Sequence, residues 1–196
     1  MRRSPDRKRA YFEDYSIILD ILGSRLRRRA QAIGEKYFTL LELALVPGIK
    51  VEVGRRVYIG INKDMRLEVE RVIRTIRYED LTFSAKSELP SVVRRIVESN
   101  ERRFVEFFNG SGPITIKLHQ LELLPNIGKK TMWKILEERR VKPFTSFKDI
   151  EERVGIRDPC GKVVERILEE LRGGSDPYKL FVSSRAIILR ITQEGT

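Results

Sequence analysis

The residues whose types and spacing point to a defined chemistry are Pro125, Asn126, Ile127, Gly128, Lys129 and Lys130. They form a short hairpin between two apolar-periodic segments. Leu118, Leu121 and Leu124 precede it, and Met132, Ile135, Leu136 and Arg139 follow on one helical face. Pro125 argues against helix at the residue before it, and Gly128 permits a positive φ. A helix that begins near Lys129 leaves its first backbone N–H groups without intrahelical partners. Those groups and the positive end of the helix dipole make a site for a phosphate. Gly128 has no Cβ to hold a sugar-phosphate backbone away, and Lys129 and Lys130 add charge beside it. Ile127 points the other way, as an anchor in the core.

The run LLPNIGKKTMWKIL resembles the helix-hairpin-helix motif of sequence-nonspecific nucleic-acid-binding proteins. That motif carries glycines on both sides of an apolar residue. Gly128 and Ile127 match it, while Asn126 stands where the first glycine would be. Asparagine tolerates the left-handed region better than most residues, so the turn is expected to survive the change. The plainer alternative is a helical hairpin that only packs its two arms.

Charge supports a polyanionic partner. The 196 residues hold 39 Lys and Arg against 28 Asp and Glu, a formal charge of +11, and the pI is about 9.9. Such a balance attracts nucleic acid largely without regard to sequence. A composition 41% hydrophobic is enough for a buried core. The single cysteine, Cys160, excludes an intrachain disulfide and a cysteine-based metal cluster, and His119 is the one histidine. No apolar run approaches the roughly 18 residues that span a membrane. The basic start lacks the apolar stretch of a secretory signal. We expect a cytoplasmic protein without cofactor or metal, and no membrane partner.

The expected fold class is α+β: a small N-terminal antiparallel β-barrel, like an oligonucleotide-binding fold, followed by helices and a C-terminal paired helix-hairpin-helix domain. Residues 1–10 read as a flexible basic arm. Residues 11–62 read as the barrel, with strands over 13–22 and 35–45 and a hairpin around Gly54. A fifth strand is not evident there, and 185–192 is a candidate for it. Arg25, Arg27, Arg28 and Arg29 fall in the loop after the first strand, where such barrels bind nucleic acid. Tyr37 and Tyr58 offer faces for base stacking or belong to the barrel core.

Residues 63–112 read as a helical connector. Leu67, Val69, Val72, Ile73 and Ile76 give a helix over 64–78, capped by Asp64. Two more helices follow, over 84–99 and 100–109. Residues 109–113, NGSGP, mark a break, and 113–174 form the paired-hairpin domain. Its second half looks like a degenerate copy of the first. Phe144, Phe147, Ile150 and Val154 supply one apolar face, Gly155 and Ile156 the turn, and Val163, Val164, Ile167, Leu168 and Leu171 another. Asp158 is placed as an N-cap with Pro159 at the first helical position. A carboxylate then occupies the helix start that a phosphate would otherwise take, so this copy reads as structural. Residues 175–196 are a C-terminal extension, strand-like over 179–182.

The runs GRRVYIG, NERRFVEFFN, LELLPNIGKK and PFTSFKDIEERV together resemble an archaeal family known as domain of unknown function 655, over roughly residues 11–182. The resemblance implies a small β-barrel, paired hairpins and nucleic-acid binding. The leading expectation is a sequence-nonspecific nucleic-acid-binding protein that grips the phosphate backbone, with RNA slightly favoured over DNA, and not an enzyme. One alternative is an interaction module in a ribosomal or repair complex, in which Trp133, off the apolar face of its helix, anchors a protein partner. The other is a structure-specific nuclease. For that, Glu151–Glu152 and Glu169–Glu170 are candidate metal-binding carboxylates and His119 with Cys160 a candidate nucleophile pair, but solvated helix faces are the simpler reading of the acidic pairs.

Overall fold

The computed structural model describes residues 13–24, 27–174 and 177–183. The basic arm at 1–10, Arg25 and the proposed strand at 185–192 lie outside them. The chain divides near the start of a long helix into two compact units. Residues 13–85 with 181–183 form the first, and Lys86–Leu180 form the second.

The first unit is built on one antiparallel sheet. Its strands are β1 (Tyr15–Leu22), β2 (Arg29–Gly34), β3 (Leu40–Leu45), β4 (Arg56–Tyr58) and β5 (Val69–Thr75), in the order β4-β1-β2-β3-β5. The core face follows the period of two that a pleated strand imposes. Ala30 and Ala32 of β2 lie opposite Leu43 and Leu41 of β3, so small residues face large ones. On β1 the phase changes at a bulge between Ile18 and Asp20. Ile18 before it and Ile21 after it therefore reach the same core.

Two expectations for this region are corrected. The sheet is an open, curled half-barrel: β4 and β5 are its edges and do not pair with each other. The closed barrel that resembles an oligonucleotide-binding fold is therefore not the one found. The missing fifth strand is β5, within the stretch read as a helix over 64–78. Only a short 3-10 turn, Lys63–Met65, forms there, and Asn62 rather than Asp64 caps it, accepting the Asp64 N–H at 3.1 Å. Val69, Val72, Ile73, Thr75 and Ile76 are β-branched and favour a strand. Two register shifts between β3 and β5 break the alternation of those residues. A bulged strand then imitates helical spacing.

The second unit contains most of α1 (Phe83–Ser99), then α2 (Glu101–Gly110), α3 (Lys129–Val141), α4 (Phe147–Val154) and α5 (Pro159–Leu171). Phe104, Phe108, Leu121, Leu124, Ile135, Ile150, Val163 and Ile167 are fully buried or nearly so. The arm that leads into the hairpin is not an α-helix. Residues Gln120–Leu123 make a single 3-10 turn. Leu118, Leu121 and Leu124 repeat every three residues, the period of a 3-10 helix, and Pro125 stops the turn from continuing. The paired helix-hairpin-helix arrangement expected for 113–174 therefore lacks its first helix.

Side chains fix the helices around that turn. The Arg139 guanidinium donates to Phe108 O at 2.8 Å and to Ser111 O at 2.9 Å, which explains an arginine on the apolar side of α3. The Arg153 guanidinium donates to Glu138 O at 2.6 Å and Lys142 O at 2.8 Å, fastening α4 to the last carbonyls of α3. Asn109 donates to Phe144 O and accepts the Phe144 N–H, at 2.9 and 2.8 Å. Among the described residues, no helix is long and apolar enough to cross a membrane.

Candidate nucleic-acid interface

The turn before α3 is set by its own sequence. The Ile127 N–H donates to Leu124 O at 3.1 Å, and the Ile127 side chain is buried. Asn126 takes the left-handed conformation, at φ 60°. Gly128 is extended, at φ −87° and ψ 178°, so the positive φ falls on the asparagine and not on the glycine. Freedom of approach, not conformation, is what Gly128 provides. A Cβ built there would meet nothing within 4 Å.

Gly128 is also the N-cap of α3, and no side chain caps that helix start. The first intrahelical bond runs from the Met132 N–H to Gly128 O, at 2.9 Å. Lys129 and Lys130 are exposed on the first turn, and neither forms an ion pair among the described residues. An uncapped helix start, open space at its cap and two unpaired cations meet at one place. Such an arrangement can receive an anion through backbone N–H groups and charge together.

The start of α5 is closed by comparison. The Asp158 carboxylate accepts the Gly161 N–H at 2.9 Å, and Pro159 follows at the first turn. The Arg94 guanidinium holds the same carboxylate, with a closest approach of 2.9 Å. A Cβ on Gly161 would lie 2.2 Å from Asp158 Oδ2, so a larger residue at 161 would displace the capping carboxylate from this position.

Between these two helix starts runs an open groove of about 1000 Å³. Lys130, Trp133, Lys134 and Glu137 of α3 line one wall, at the i, i+3, i+4, i+7 spacing of a single helix face. Gly155, Ile156 and Arg157, in the turn between α4 and α5, line the other. Trp133 is 55% exposed. The helical spacing on α3 was visible in the sequence. That the second turn faces it was not, because the two walls lie some twenty residues apart.

The arginine cluster is divided. Arg27 is exposed, and Arg25 lies outside the described residues. The Arg28 guanidinium donates to Ile49 O at 3.0 Å, and Arg29 begins β2 and pairs with Glu42 at 3.1 Å. Two of the four proposed phosphate ligands are thus engaged within the sheet unit. Tyr58 is half-buried edge-on against Tyr15, with ring centroids 5.2 Å apart. The Tyr15 ring carries the Arg56 guanidinium at 3.4 Å.

The groups considered for catalysis have structural surroundings. His119 Nδ1 accepts the Leu121 N–H at 3.1 Å, and Glu122 accepts the His119 N–H at 2.8 Å, a reciprocal cap on the 3-10 turn. Burial, with the Arg139 charge second, depresses the His119 pKa. Cys160 is buried, and burial pushes its thiol up to about 11. Glu152 pairs with Lys148 on the surface of α4. Glu170, read from sequence as solvated, is instead buried against Arg166 at 2.8 Å.

Residues 12–183 match the family described as protein of unknown function DUF655. The uncharacterised protein MJ0038 of Methanocaldococcus jannaschii is 46% identical over 196 residues, covering 96% of this chain and 89% of the relative. The crystal structure of Af1531 from Archaeoglobus fulgidus, also a DUF655 protein, aligns with a TM-score of 0.79 at 44% identity, covering 87% of this chain and all of that one. A match across nearly the whole chain, in sequence and in fold alike, makes this protein a member of the DUF655 family.

Proposed function

We propose that the chain is a sequence-nonspecific nucleic-acid-binding protein that holds a sugar-phosphate backbone at the start of α3. The observation that carries the reading is the uncapped N-terminus at Gly128, with open space at its Cβ position and Lys129 and Lys130 exposed beside it. The net charge of +11 supports it by favouring polyanions at long range. The slight preference for RNA rested on an oligonucleotide-type barrel. The open sheet withdraws that support, so the proposal covers RNA and DNA equally. A second reading, a protein-interaction module, is favoured by the exposure of Trp133.

The test is binding to matched single- and double-stranded RNA and DNA across a salt series, wild type beside Gly128→Val. The extended backbone at position 128 is open to a β-branched residue and a Cβ there meets nothing within 4 Å, so the variant is expected to fold, which its circular dichroism spectrum checks. It obstructs phosphate approach. Each charge-assisted bond lost corresponds to roughly a 10- to 150-fold weaker affinity. A folded Gly128→Val that binds as wild type does refutes the role of this turn. Replacing Lys129 and Lys130 together with alanine flattens the salt slope by about two units if both touch phosphates.

A further inference from the structure

We propose that the groove beside the start of α3 holds an unpaired nucleotide, its base stacked on Trp133 and its flanking phosphates against Lys130, Lys134 and Arg157. The preferred partner is then a single strand. This inference rests on the reading of the chain as a phosphate-backbone binder and adds the state of the nucleic acid it selects.

The indole is the starting point. Trp133 is the only tryptophan in the chain, and it is 55% exposed on a helix face otherwise made of Lys130, Lys134 and Glu137. An aromatic surface of this size among cations is the combination that single-strand sites use: stacking on the base and charge on the backbone. Lys130, Lys134 and Arg157 are all exposed, and none forms an ion pair among the described residues. Glu137 is the acidic residue that remains on that face, since Arg94 already pairs with Asp158.

The opposite wall suits a flat ligand. Gly155 ends α4 in the left-handed conformation, at φ 80°. A Cβ there would meet only Lys134 Nζ, at 3.9 Å. The turn thus presents bare backbone across from the indole. Along α3, Trp133 stands about 6 Å from Lys129 at 1.5 Å of rise per residue. A stacked strand advances roughly 3.4 Å per nucleotide and an unstacked one further, so the nucleotide next to the held phosphate already covers such a distance. A strand held by its phosphate at Gly128 therefore brings a base to the indole without stretching. A duplex keeps its base faces within its own stack and offers none to an exposed ring. The groove volume, about 1000 Å³, is ample for a ligand of this size. An apolar peptide seated on the same face would have to cover three lysine and arginine charges without pairing them, whereas a phosphate strand pairs them.

Trp133 also supplies the assay, because its fluorescence reports this groove and nothing else in the chain. The full-length protein is titrated with short oligo(dT) and oligo(U), with matched duplexes, and with inorganic polyphosphate as an anion without bases. The expected result is quenching by the single strands and none by polyphosphate, although polyphosphate competes for binding. Trp133→Ala is expected to weaken single-strand binding roughly 5- to 150-fold and to leave duplex binding unchanged, while Trp133→Phe retains most of the affinity. Single strands that bind without quenching, or equally well to Trp133→Ala, overturn the groove assignment and leave the backbone reading standing. Absence of binding by every nucleic acid at low salt overturns both. Quenching by an acidic polypeptide, with none by oligonucleotides, assigns the groove to a protein and also overturns the inference.

Discussion

Asp158 performs two tasks that substitution can separate. It caps α5 through the Gly161 N–H while its own backbone holds a left-handed conformation, at φ 50°. It also places a negative charge at the positive end of the helix and against Arg94. Asp158→Asn keeps an oxygen for the cap and a residue that tolerates that backbone. It loses only the charge. The Arg94 and Asp158 side chains are 40% and 51% exposed. Solvent screening limits such a pair to at most about 1 kcal/mol, and the dipole contributes about 0.3–1 kcal/mol. The asparagine variant is therefore expected to lose about 0.3–2 kcal/mol. Asp158→Ala loses the same charge terms, the cap, worth about 1 kcal/mol, and the tolerance of positive φ, worth about 1–2 kcal/mol. Its expected loss is about 2.3–5 kcal/mol. Asp158→Gly relieves the backbone without restoring the cap and falls between them. Denaturant unfolding followed by far-ultraviolet circular dichroism gives the three differences. Equal losses for asparagine and alanine would show that charge alone matters, and the capping argument would be wrong. Asp158→Asn leaves Arg94 paired with Glu98 at 3.3 Å and keeps the α5 start capped, so nucleic-acid affinity and its salt slope are expected to change little.

The Arg166–Glu170 pair is nearly inaccessible, with side chains 6% and 2% exposed, and Glu170 also accepts the Leu180 N–H at 2.7 Å. Removing one partner, as in Glu170→Leu, is expected to cost about 3–5 kcal/mol, and replacing both by apolar residues less than the two single losses together, since only the bonds to Leu180 N–H and Tyr178 O are then lost besides the pair; a double-mutant cycle in denaturant decides, and strictly additive losses would refute the reasoning. Glu13 is largely buried two residues before β1 and accepts the N–H groups of Lys36, Tyr37 and Thr39. Burial raises its carboxyl above the ordinary value of 4.5, against the pull of those bonds. A raised acid binds more protons folded than unfolded, so its contribution is fully present below 4.5 and is lost as pH rises through the folded value. Wild type should therefore lose stability relative to Glu13→Gln across that window. A gain in its place would mean that the three N–H bonds outweigh the burial.

What the sequence made legible was local. The α5 cap was readable because Asp158 and Pro159 act within one turn. Phe147, Ile150 and Val154 were readable because a helix repeats its face every few residues, and all three are buried; Phe144, read with them, is buried too but lies in the segment before α4. The errors arose where two periods coincide. Leucines three apart fit a 3-10 turn as well as an α-helix, and a strand with two bulges spaces its valines as a helix would. Closure of the sheet was not legible at all, since it depends on whether β4 and β5 meet, and they do not. The turn at 125–130 was visible from Pro125 and Gly128, and it is there, with Ile127 buried and α3 beginning at Lys129. The fates of Arg28 and Arg29 were hidden, because their acceptors Ile49, Val51 and Glu42 come from 13 to 23 residues away.

The open sheet has one more consequence, for how copies of the chain meet in a crowded solution. A sheet that does not close leaves two ladders of backbone groups ready to recruit a strand from another molecule. This one gives such a strand little to grip. The β4 margin is only three residues long, Arg56–Tyr58. The β5 margin is kinked by two register shifts and carries the exposed charges Glu70, Arg71 and Arg74. Shortness on one side and bent, charged backbone on the other discourage the edge-to-edge growth that leads to fibres. Arg71 and Arg74 add charge to that margin, Arg74 while also paired with Glu42 at 2.7 Å.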